Sequence, residues 1–284
     1  MVKKMISNKK FIMVELTPPK NGDLSELLKS ARQLKDYNIT SVTFSDSPGG
    51  VCCVDSVLTA VKIREELGMD VIPHLCCRDK NALSLRSQIL GAHANGIRNM
   101  LFITGDDVLF AKREAIKPVF DCNSVSLMNI AADLNHYELH RSPIRYGGGV
   151  NYAKDAIDSE IKSVKAKMQK GALFFFSRPV YCKEDADTVR TIAQETNAKI
   201  YCGVMPLVNR KNAEYVNSHI SGVNVPQDII ESYDLTMTRD EGEAIGIENA
   251  KKMLAYIKDF TYGYYFHFPF NRVYLLGELL KDLT

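Results

Sequence analysis

Short apolar runs recur along the chain, and most of them stop at a polar or titratable residue. The stretches between the runs repeat apolar residues with helical spacing. This alternation predicts parallel strands joined by helical crossovers. Eight such units in 284 residues match a single (β/α)8 barrel, with strands predicted at residues 11–16, 40–44, 71–75, 99–104, 144–150, 172–176, 199–205 and 260–268.

No linker-like or low-complexity segment interrupts the pattern, so we expect one domain over residues 1–284. In a (β/α)8, or TIM, barrel the functional side chains lie where strands end and loops begin. The polar residues at or just beyond the ends of the predicted strands are therefore the first candidates for a site: Glu15, Thr43, His74, Asp106, Asn151, Arg178, Asn209 and Asn271.

Charge and hydropathy argue against nucleic acid and membrane as partners. The formal net charge of +2 offers no strongly basic surface for nucleic acid. The sequence has neither a signal-peptide pattern nor an apolar run of the roughly 18 residues that a bilayer span requires. We therefore expect a cytoplasmic protein that binds neither nucleic acid nor membrane.

Cysteine usage favours reduced thiols, because seven cysteines without a signal sequence do not suggest a disulfide framework. Cys76 and Cys77 closely follow His74, which would suit a metal site. However, adjacent residues of a strand point to opposite faces, and the C-x2-C spacing of structural zinc sites is absent. Buried thiols are the better interpretation, and we predict no metal.

Glu15 lies near the end of the first predicted strand. If Val14 and Leu16 face the helices, Glu15 faces the barrel interior. A buried carboxylate without a partner tends to take up a proton, and such a group can act as a general acid near neutral pH. A glutamate paired with a lysine or arginine inside the barrel would be structural instead, and the sequence leaves both interpretations open.

Glycines mark the ends of two later strands. Segment 104–106 reads Thr-Gly-Asp; its glycine permits close approach of a ligand, and Asp106 can accept hydrogen bonds from a heterocycle. The three glycines at 147–149 offer no side chains to pack, which suits either a tight turn or a flat ligand on the backbone. Lys167, late in the helix predicted after the fifth strand, is by default a solvated side chain.

Together these segments resemble the methylenetetrahydrofolate reductase family, whose members are flavin-dependent barrel enzymes. The resemblance covers nearly the whole chain and is nearest to the shorter bacterial reductases, including those fused to homocysteine methyltransferases. The order and spacing of several segments carry it: residues 14–20 (VELTPPK), 41–44 (SVTF), 73–76 (PHLC), 78–79 (RD), 91–99 (GAHANGIRN), 104–106 (TGD), 167–172 (KMQKGA), 177–181 (SRPVY) and 203–207 (GVMPL).

The resemblance implies FAD-dependent reduction of 5,10-methylenetetrahydrofolate to 5-methyltetrahydrofolate, a reaction of one-carbon metabolism and methionine biosynthesis. The kinetics would be ping-pong, with the donor leaving before the folate binds in the same space. Glu15 matches the general acid that helps to open the folate's five-membered ring, and Asp106 matches the aspartate near the flavin's pyrimidine edge and the pterin. The resemblance also places Thr43, His74, Glu160 and Lys167 at FAD-contacting positions. We assign four further residues of the same strand ends to cofactor binding: Thr104, Gly105, Gly148 and Asn151.

The segments that would bind substrate and donor depart from the family pattern. Arg178 stands where the family usually has a glutamine that reads the pterin and the nicotinamide, and Arg210 where some members have a stacking side chain. Thr104 replaces an arginine and Asn151 a histidine found in other members. Arg272 matches a family arginine near the substrate. We assign the three arginines to substrate binding, where an arginine could also hold the glutamate tail of folate or a nucleotide phosphate.

Two functions remain open at this point. The first is a reductase that takes electrons from NADH and passes them to methylenetetrahydrofolate. The second is a flavin- or folate-binding subunit of a larger complex that receives electrons from a partner protein rather than NAD(P)H. Arg178, Arg210 and the cysteine-rich composition motivate the second. We expect a homo-oligomer or a hetero-complex.

Overall fold

A computed structural model describes residues 10–106, 117–153, 156–220, 222–281 and 283. Eight parallel strands pair in chain order, and β8 pairs with β1, so the sheet closes into a barrel. Each predicted run overlaps one observed strand, which confirms the (β/α)8 prediction. The strands are β1 (Phe11–Leu16), β2 (Ser41–Phe44), β3 (Val71–Cys76), β4 (Asn99–Ile103), β5 (Arg145–Val150), β6 (Phe174–Pro179), β7 (Ile200–Val204) and β8 (Gly263–His267).

Helices alternate with the strands along the described chain. They are α1 (Ser25–Leu34), α2 (Ser56–Leu67), α3 (Ala82–Ala94), α4 (Ser124–His136), α5 (Ile157–Gln169), α6 (Lys183–Thr196), α7 (Arg210–His219), α8 (Gln227–Glu231), α9 (Arg239–Ile257) and α10 (Leu276–Leu280). Several of them begin at a side chain that accepts backbone N–H groups of the first turn, as short polar side chains do at helix N-termini. These N-cap residues are Asp55, Asn81, Asn123, Asn209 and Thr238.

Strand alternation divides the core into an outer and an inner layer. Val14 and Leu16 pack in the outer layer between strands and helices, as predicted. Met13 packs inside the barrel, in a small inner cluster, and Glu15 lines a cavity with members of the same cluster. The inner cluster fills the barrel below that cavity and consists of Met13, Ile72, Leu101, Phe176, Tyr201 and Tyr265.

β6 begins and ends later than the predicted run 172–176 because its polar residues remain in the sheet. The Ser177 hydroxyl accepts a hydrogen bond from the Gly203 backbone N–H at 2.9 Å, and the pairing with β7 resumes at Pro179. The register shifts between residues 176 and 179, and a Cβ on Gly203 would lie 2.7 Å from the Arg178 carbonyl carbon. Such an irregularity re-aims a side chain, here Arg178, at the barrel rim.

Glycine is required at one position of β5, and this gives a testable consequence. A Cβ at Gly147 would lie 2.4 Å from both the ring and the backbone oxygen of Phe174. We expect Gly147→Ala to lower the free energy of unfolding by about 1–3 kcal/mol, the usual cost of overpacking. Gly149→Ala is the matched control, since a Cβ there meets nothing within 4 Å. Urea denaturation of both variants measures the difference, and equal losses would contradict the packing argument.

Candidate active site

A cavity of about 260 Å³ opens at the carboxyl ends of the barrel strands. Its walls come from the ends of β1 to β6, from β8 and from α5, as expected for a site in this fold. The structure brings together eight of the predicted site residues in this cavity: Glu15, His74, Thr104, Gly105, Asp106, Asn151, Lys167 and Arg178.

Glu15 is 8% exposed and faces the cavity. It lies in register with Thr43 of β2 on one side and with His267 of β8 on the other. Among the described residues no lysine or arginine pairs with Glu15. The cations near the cavity bind other carboxylates, in the pairs Arg78–Asp79, Lys80–Asp46, Lys167–Glu160 and Arg178–Asp106. This arrangement disfavours a structural ion pair inside the barrel.

His74 is buried at the cavity wall. Burial lowers the pKa of His74 below its ordinary value, an effect that the charges of Glu15 and Asp46 oppose, so the imidazole is neutral at pH 7. Its Nε2 atom and the Thr43 hydroxyl are buried without a hydrogen-bond partner in the described structure. Buried polar atoms are rarely left unpaired, so His74 Nε2, at the wall of the cavity, is suited to a bound ligand.

Segment 104–106 is held tightly against β3. Gly105 has a φ of +96°, and a Cβ there would lie 2.3 Å from the Cys76 sulfur, so only glycine fits. The Asp106 carboxylate accepts a hydrogen bond from Arg178 Nη2 at 2.7 Å, and its backbone carbonyl accepts one from Arg78 Nη1 at 3.1 Å. Asp106 is therefore fixed at both ends, by side chains from two other strand ends.

Lys167 is buried rather than solvated. It is 8% exposed, and its ammonium group donates a hydrogen bond to the Gly149 carbonyl at 2.8 Å. Burial lowers the pKa of Lys167, while Glu160, whose carboxylate lies 3.9 Å away, acts in the opposite direction. The sequence could not show this burial, because it depends on how α5 packs against β5.

The glycines of β5 have different roles. A Cβ at Gly148 would lie 3.2 Å from the Lys167 side chain and 3.0 Å from Met128, so this glycine makes room for the lysine stem outside the barrel. Gly149 lines the cavity and has open space at its Cβ position. The backbone available to a flat ligand is therefore that of Gly149, one residue beyond the predicted Gly148.

Five predicted residues do not line this cavity: Thr43, Gly148, Glu160, Arg210 and Arg272. Thr43 lies beside Glu15 in the strand register, and Glu160 reaches the site indirectly, by accepting a hydrogen bond from the Asn151 backbone N–H at 3.2 Å. Arg210 and Arg272 line a second cavity of about 320 Å³, which shares no lining residue with the first.

The second cavity is rich in cations, because Lys211 and Arg239 also line it. One oxygen of Glu243 orients two of its arginines, accepting hydrogen bonds from Arg239 at 2.9 Å and from Arg272 at 2.7 Å. Burial raises the pKa of Glu243, but the hydrogen bonds from Arg239 and Tyr274 and the arginine charges outweigh it, so the net shift is downward. Glu243 thus stays ionised and holds both guanidinium groups in place.

Two polar strand-end residues serve structure. Asn209 caps α7. The Asn271 side chain accepts a hydrogen bond from the Thr17 N–H and donates one to the Thr17 carbonyl, each at 3.0 Å, which ties the β8 loop to the β1 loop beside Glu15. A polar residue at a strand end can thus stabilise a loop or a helix start instead of contacting a ligand.

Sequence reasoning missed several lining residues, including Asp46, Cys76, Arg78, Ser177 and Tyr265. Asp46 accepts a hydrogen bond from the Cys76 backbone N–H at 2.9 Å and pairs with Lys80. Its position two residues beyond the second predicted strand was an available signal, because it falls in the zone that supplied the other candidates.

All seven cysteines lie within the described chain and outside any disulfide. Burial raises the pKa of the Cys76 thiol to about 11, so it is protonated at neutral pH. In the part of the chain that the structure describes, no three histidine, cysteine, aspartate or glutamate side chains come together as metal ligands. Of the described helices, none is long and apolar enough to cross a membrane.

Comparisons with known proteins identify a family for this chain. A model of the methylenetetrahydrofolate reductase family matches residues 1–282. A 5,10-methylenetetrahydrofolate reductase of Pectobacterium carotovorum is 25% identical over 232 residues, which cover 78% of this chain and 72% of that protein. The protein of the same name from Escherichia coli K12 is 23% identical over 236 residues, covering 78% and 73% of the two chains.

A solved structure adds to the evidence for the fold. It is described as an uncharacterized protein from Clostridium thermocellum that binds two copies of 5-methyl-5,6,7,8-tetrahydrofolic acid. Its TM-score is 0.68 at 16% identity, and the match covers 97% of this chain and 94% of that one.

The closed barrel, with a charged cavity at the carboxyl ends of its strands, defines a (β/α)8 protein with a strand-end site. The family match over 1–282 shows that the chain belongs to the methylenetetrahydrofolate reductase family, a family of oxidoreductases.

The lowered pKa of His74 makes stability depend on pH. Its ordinary value is 6.5, and burial lowers it in the native state. As the pH falls through 6.5, the unfolded chain therefore binds a proton that the native chain does not, which favours unfolding. The contribution of His74 to the free energy of unfolding is complete above pH 6.5. It is lost below that pH, at up to about 1.4 kcal/mol per pH unit.

The measurement is urea unfolding from about pH 7.5 to about pH 5. We expect the free energy of unfolding of His74→Gln to fall less steeply with acidification than that of the wild type. His140→Gln is the matched control, since it makes the same substitution at an exposed position outside the cavity. Identical slopes for wild type and His74→Gln would contradict the assignment.

Proposed function

We propose that this chain reduces 5,10-methylenetetrahydrofolate to 5-methyltetrahydrofolate with FAD as its cofactor. The observation that carries the proposal is Glu15, a buried carboxylate that faces the cavity without a basic partner among the described residues. Membership of the reductase family supports the same substrate. When bound, FAD would supply the two-electron redox chemistry between donor and folate.

The residues around the first cavity fit a flavin. His74 offers an unpaired Nε2, and Gly149 offers open backbone, as a planar heterocycle with a polar edge requires. Gly105 allows close approach beside Asp106. The buried ammonium of Lys167 is suited to phosphate or ribose oxygens. Thr43, Asn151 and Glu160 complete the proposed cofactor contacts, Glu160 through Asn151 and Lys167.

Glu15 is the proposed general acid. It would donate a proton to the folate nitrogen that leaves as the five-membered ring opens, which produces an electrophilic iminium. Asp106 would favour the positive charge that develops on the substrate, because its carboxylate is already fixed at the cavity rim. The inner apolar cluster closes the barrel beneath both groups and excludes water from below.

The second cavity is the proposed site for the anionic end of the substrate or donor. Its four cations, Arg210, Lys211, Arg239 and Arg272, suit the carboxylates of a glutamate tail or a nucleotide phosphate. The folate-binding neighbour from Clostridium thermocellum supports folate as the ligand class. A cytoplasmic homo-oligomer or hetero-complex remains our expectation for the whole protein.

Electron delivery by a partner protein is the second candidate, and one observation favours it. Arg178 replaces an amide with a donor-only cation, and it engages the Asp106 carboxylate at 2.7 Å. A nicotinamide would therefore find neither the amide nor a free carboxylate on this side of the cavity. A partner that delivers electrons to the flavin directly needs neither.

The first test separates the two half-reactions of Glu15→Gln. The glutamine keeps the shape of the side chain but lacks an acidic proton, so folate reduction should fall by on the order of 10² to 10⁴ while reduction of the bound flavin by its donor survives. Anaerobic stopped-flow absorbance of the FAD-reconstituted protein measures both steps.

Glu15→Asp is the matched control, because it retains the exchangeable proton and should keep more of the folate activity than the glutamine variant. Equal losses in both half-reactions would mark Glu15 as structural. A reconstituted wild type without flavin absorbance and without an FAD-dependent thermal shift would rule out the cofactor.

The second test concerns the electron donor. If Arg178 obstructs nicotinamide binding, Arg178→Gln should raise the rate of flavin reduction by NADH on the order of two- to tenfold, the equivalent of one restored hydrogen bond. Arg178→Lys retains the cation and should stay at the wild-type rate. The opposite result would be rapid reduction of the wild-type flavin by NADH and slower reduction in Arg178→Gln. Arg178 would then assist donor binding rather than obstruct it.

A further inference from the structure

We propose that Arg78 is a positioning residue that fixes Asp106 at the cavity rim; the inference rests on the proposed function. Arg78 follows β3 and is 1% exposed, the most buried charged side chain of the described core. A buried guanidinium is costly unless its donors and its charge are satisfied. Its partners therefore indicate what the burial achieves.

The guanidinium of Arg78 joins three loops. Nε and Nη2 donate to the Asp79 carboxylate at 2.8 and 2.6 Å, which neutralises the charge within the β3 loop. Nη2 also donates to the Ser47 carbonyl in the β2 loop at 2.7 Å. Nη1 donates to the Asp106 carbonyl in the β4 loop at 3.1 Å. Three adjacent strand ends are thus linked through one planar group.

The backbone of Arg78 extends the link beyond β4. Its carbonyl accepts hydrogen bonds from the N–H groups of Val119 at 2.7 Å and of Phe120 at 3.2 Å. The Cβ position of Gly105 lies 3.0 Å from the Arg78 Cβ, so segment 104–106 packs directly on this residue. Arg78 therefore contacts the chain on both sides of Asp106.

The two contacts of Asp106 differ in their accessibility. The ion pair with Arg178 is about one-third exposed on each side chain, at 34% for Asp106 and 32% for Arg178, so a ligand can exchange with it. The contact with Arg78 reaches the backbone and is made by a buried donor. Arg178 therefore pairs with the Asp106 carboxylate, while Arg78 fixes the backbone that positions it.

Lysine cannot replace Arg78 in this role, because one ammonium group does not reproduce the planar fork that meets three acceptors. Arg78→Lys keeps the charge beside Asp79 but releases part of the link to Asp106. A displacement of about 1 Å at a reacting group can cost about 10²-fold in rate, so we expect a loss of that order in kcat/KM for folate reduction.

A double-mutant cycle with Asp106→Asn separates positioning from general stability. If Arg78 acts through the Asp106 carboxylate, Arg78→Lys should change the rate of Asp106→Asn by no more than about twofold. A full 10²-fold loss in that background as well would overturn the proposal. Arg98→Lys is the matched control, since Arg98 precedes β4 at the opposite end of the barrel and bonds Ser142, His93 and Ile97.

Hydrogen exchange supplies a readout that does not need activity. We expect Arg78→Lys to accelerate exchange of the Val119 and Phe120 amides, and Arg98→Lys to leave them unchanged. If the wild type lacks folate reduction, the proposed function fails, and exchange still decides whether Arg78 holds the rim. Should Arg78→Lys not fold, Asp79→Asn serves as the second variant, because it leaves Arg78 in place and removes the carboxylate that orients it. Unchanged exchange in the variant that folds would overturn the proposal.

Discussion

Closure of the barrel in one register fixes the direction of the strand side chains and so the position of the site. Because residues alternate between the two faces of a strand, closing the sheet sends one set of side chains inward and the other toward the helices. Apolar side chains take most of the inward positions and fill the barrel. Glu15 and His74 occupy inward positions nearer the carboxyl ends, where the filling stops and the cavity begins. A shift of register by one residue would turn both groups into the outer apolar layer.

Ion pairs connect the residues at the rim of the first cavity, above the inner apolar cluster. The described cations around the first cavity each pair with a carboxylate, whereas Glu15 has no such partner among the described residues. Lys80–Asp46 and Arg178–Asp106 join different strand ends, and the other two pairs lie within one loop or one helix. The pairs give little stability where they are exposed, but they fix the loops that carry them. Arg78 and Arg178 together hold Asp106, one by its backbone and one by its carboxylate. The site thus combines a rigid rim with one acid that is left available for chemistry.

The two cavities have different characters, and this bears on the departures from the family pattern. The first mixes carboxylates, imidazole and open glycine backbone, which suits a polar heterocycle. The second is rich in cations, two of which, Arg239 and Arg272, Glu243 holds in place, and it suits an anion. A ligand with a heterocycle at one end and carboxylates at the other, such as a folate, offers groups for both. Arg178, one of these departures, lines the first cavity and pairs there with Asp106.

Local sequence patterns sufficed to predict the barrel, its eight strands and the inward direction of Glu15, because these depend on periodicities of two and 3.6 residues within each segment. Strand-end positions and the family resemblance together supplied the candidates, eight of which share one cavity. Tertiary structure alone decided which partner each group meets. Arg178 and Asp106 are 72 residues apart in the chain and pair because β4 and β6 both end at the rim. Lys167 is buried because Gly148 leaves room for its stem, and Arg78 links three loops that only barrel closure brings together. Such contacts depend on the relative placement of distant strand ends, which no local pattern encodes.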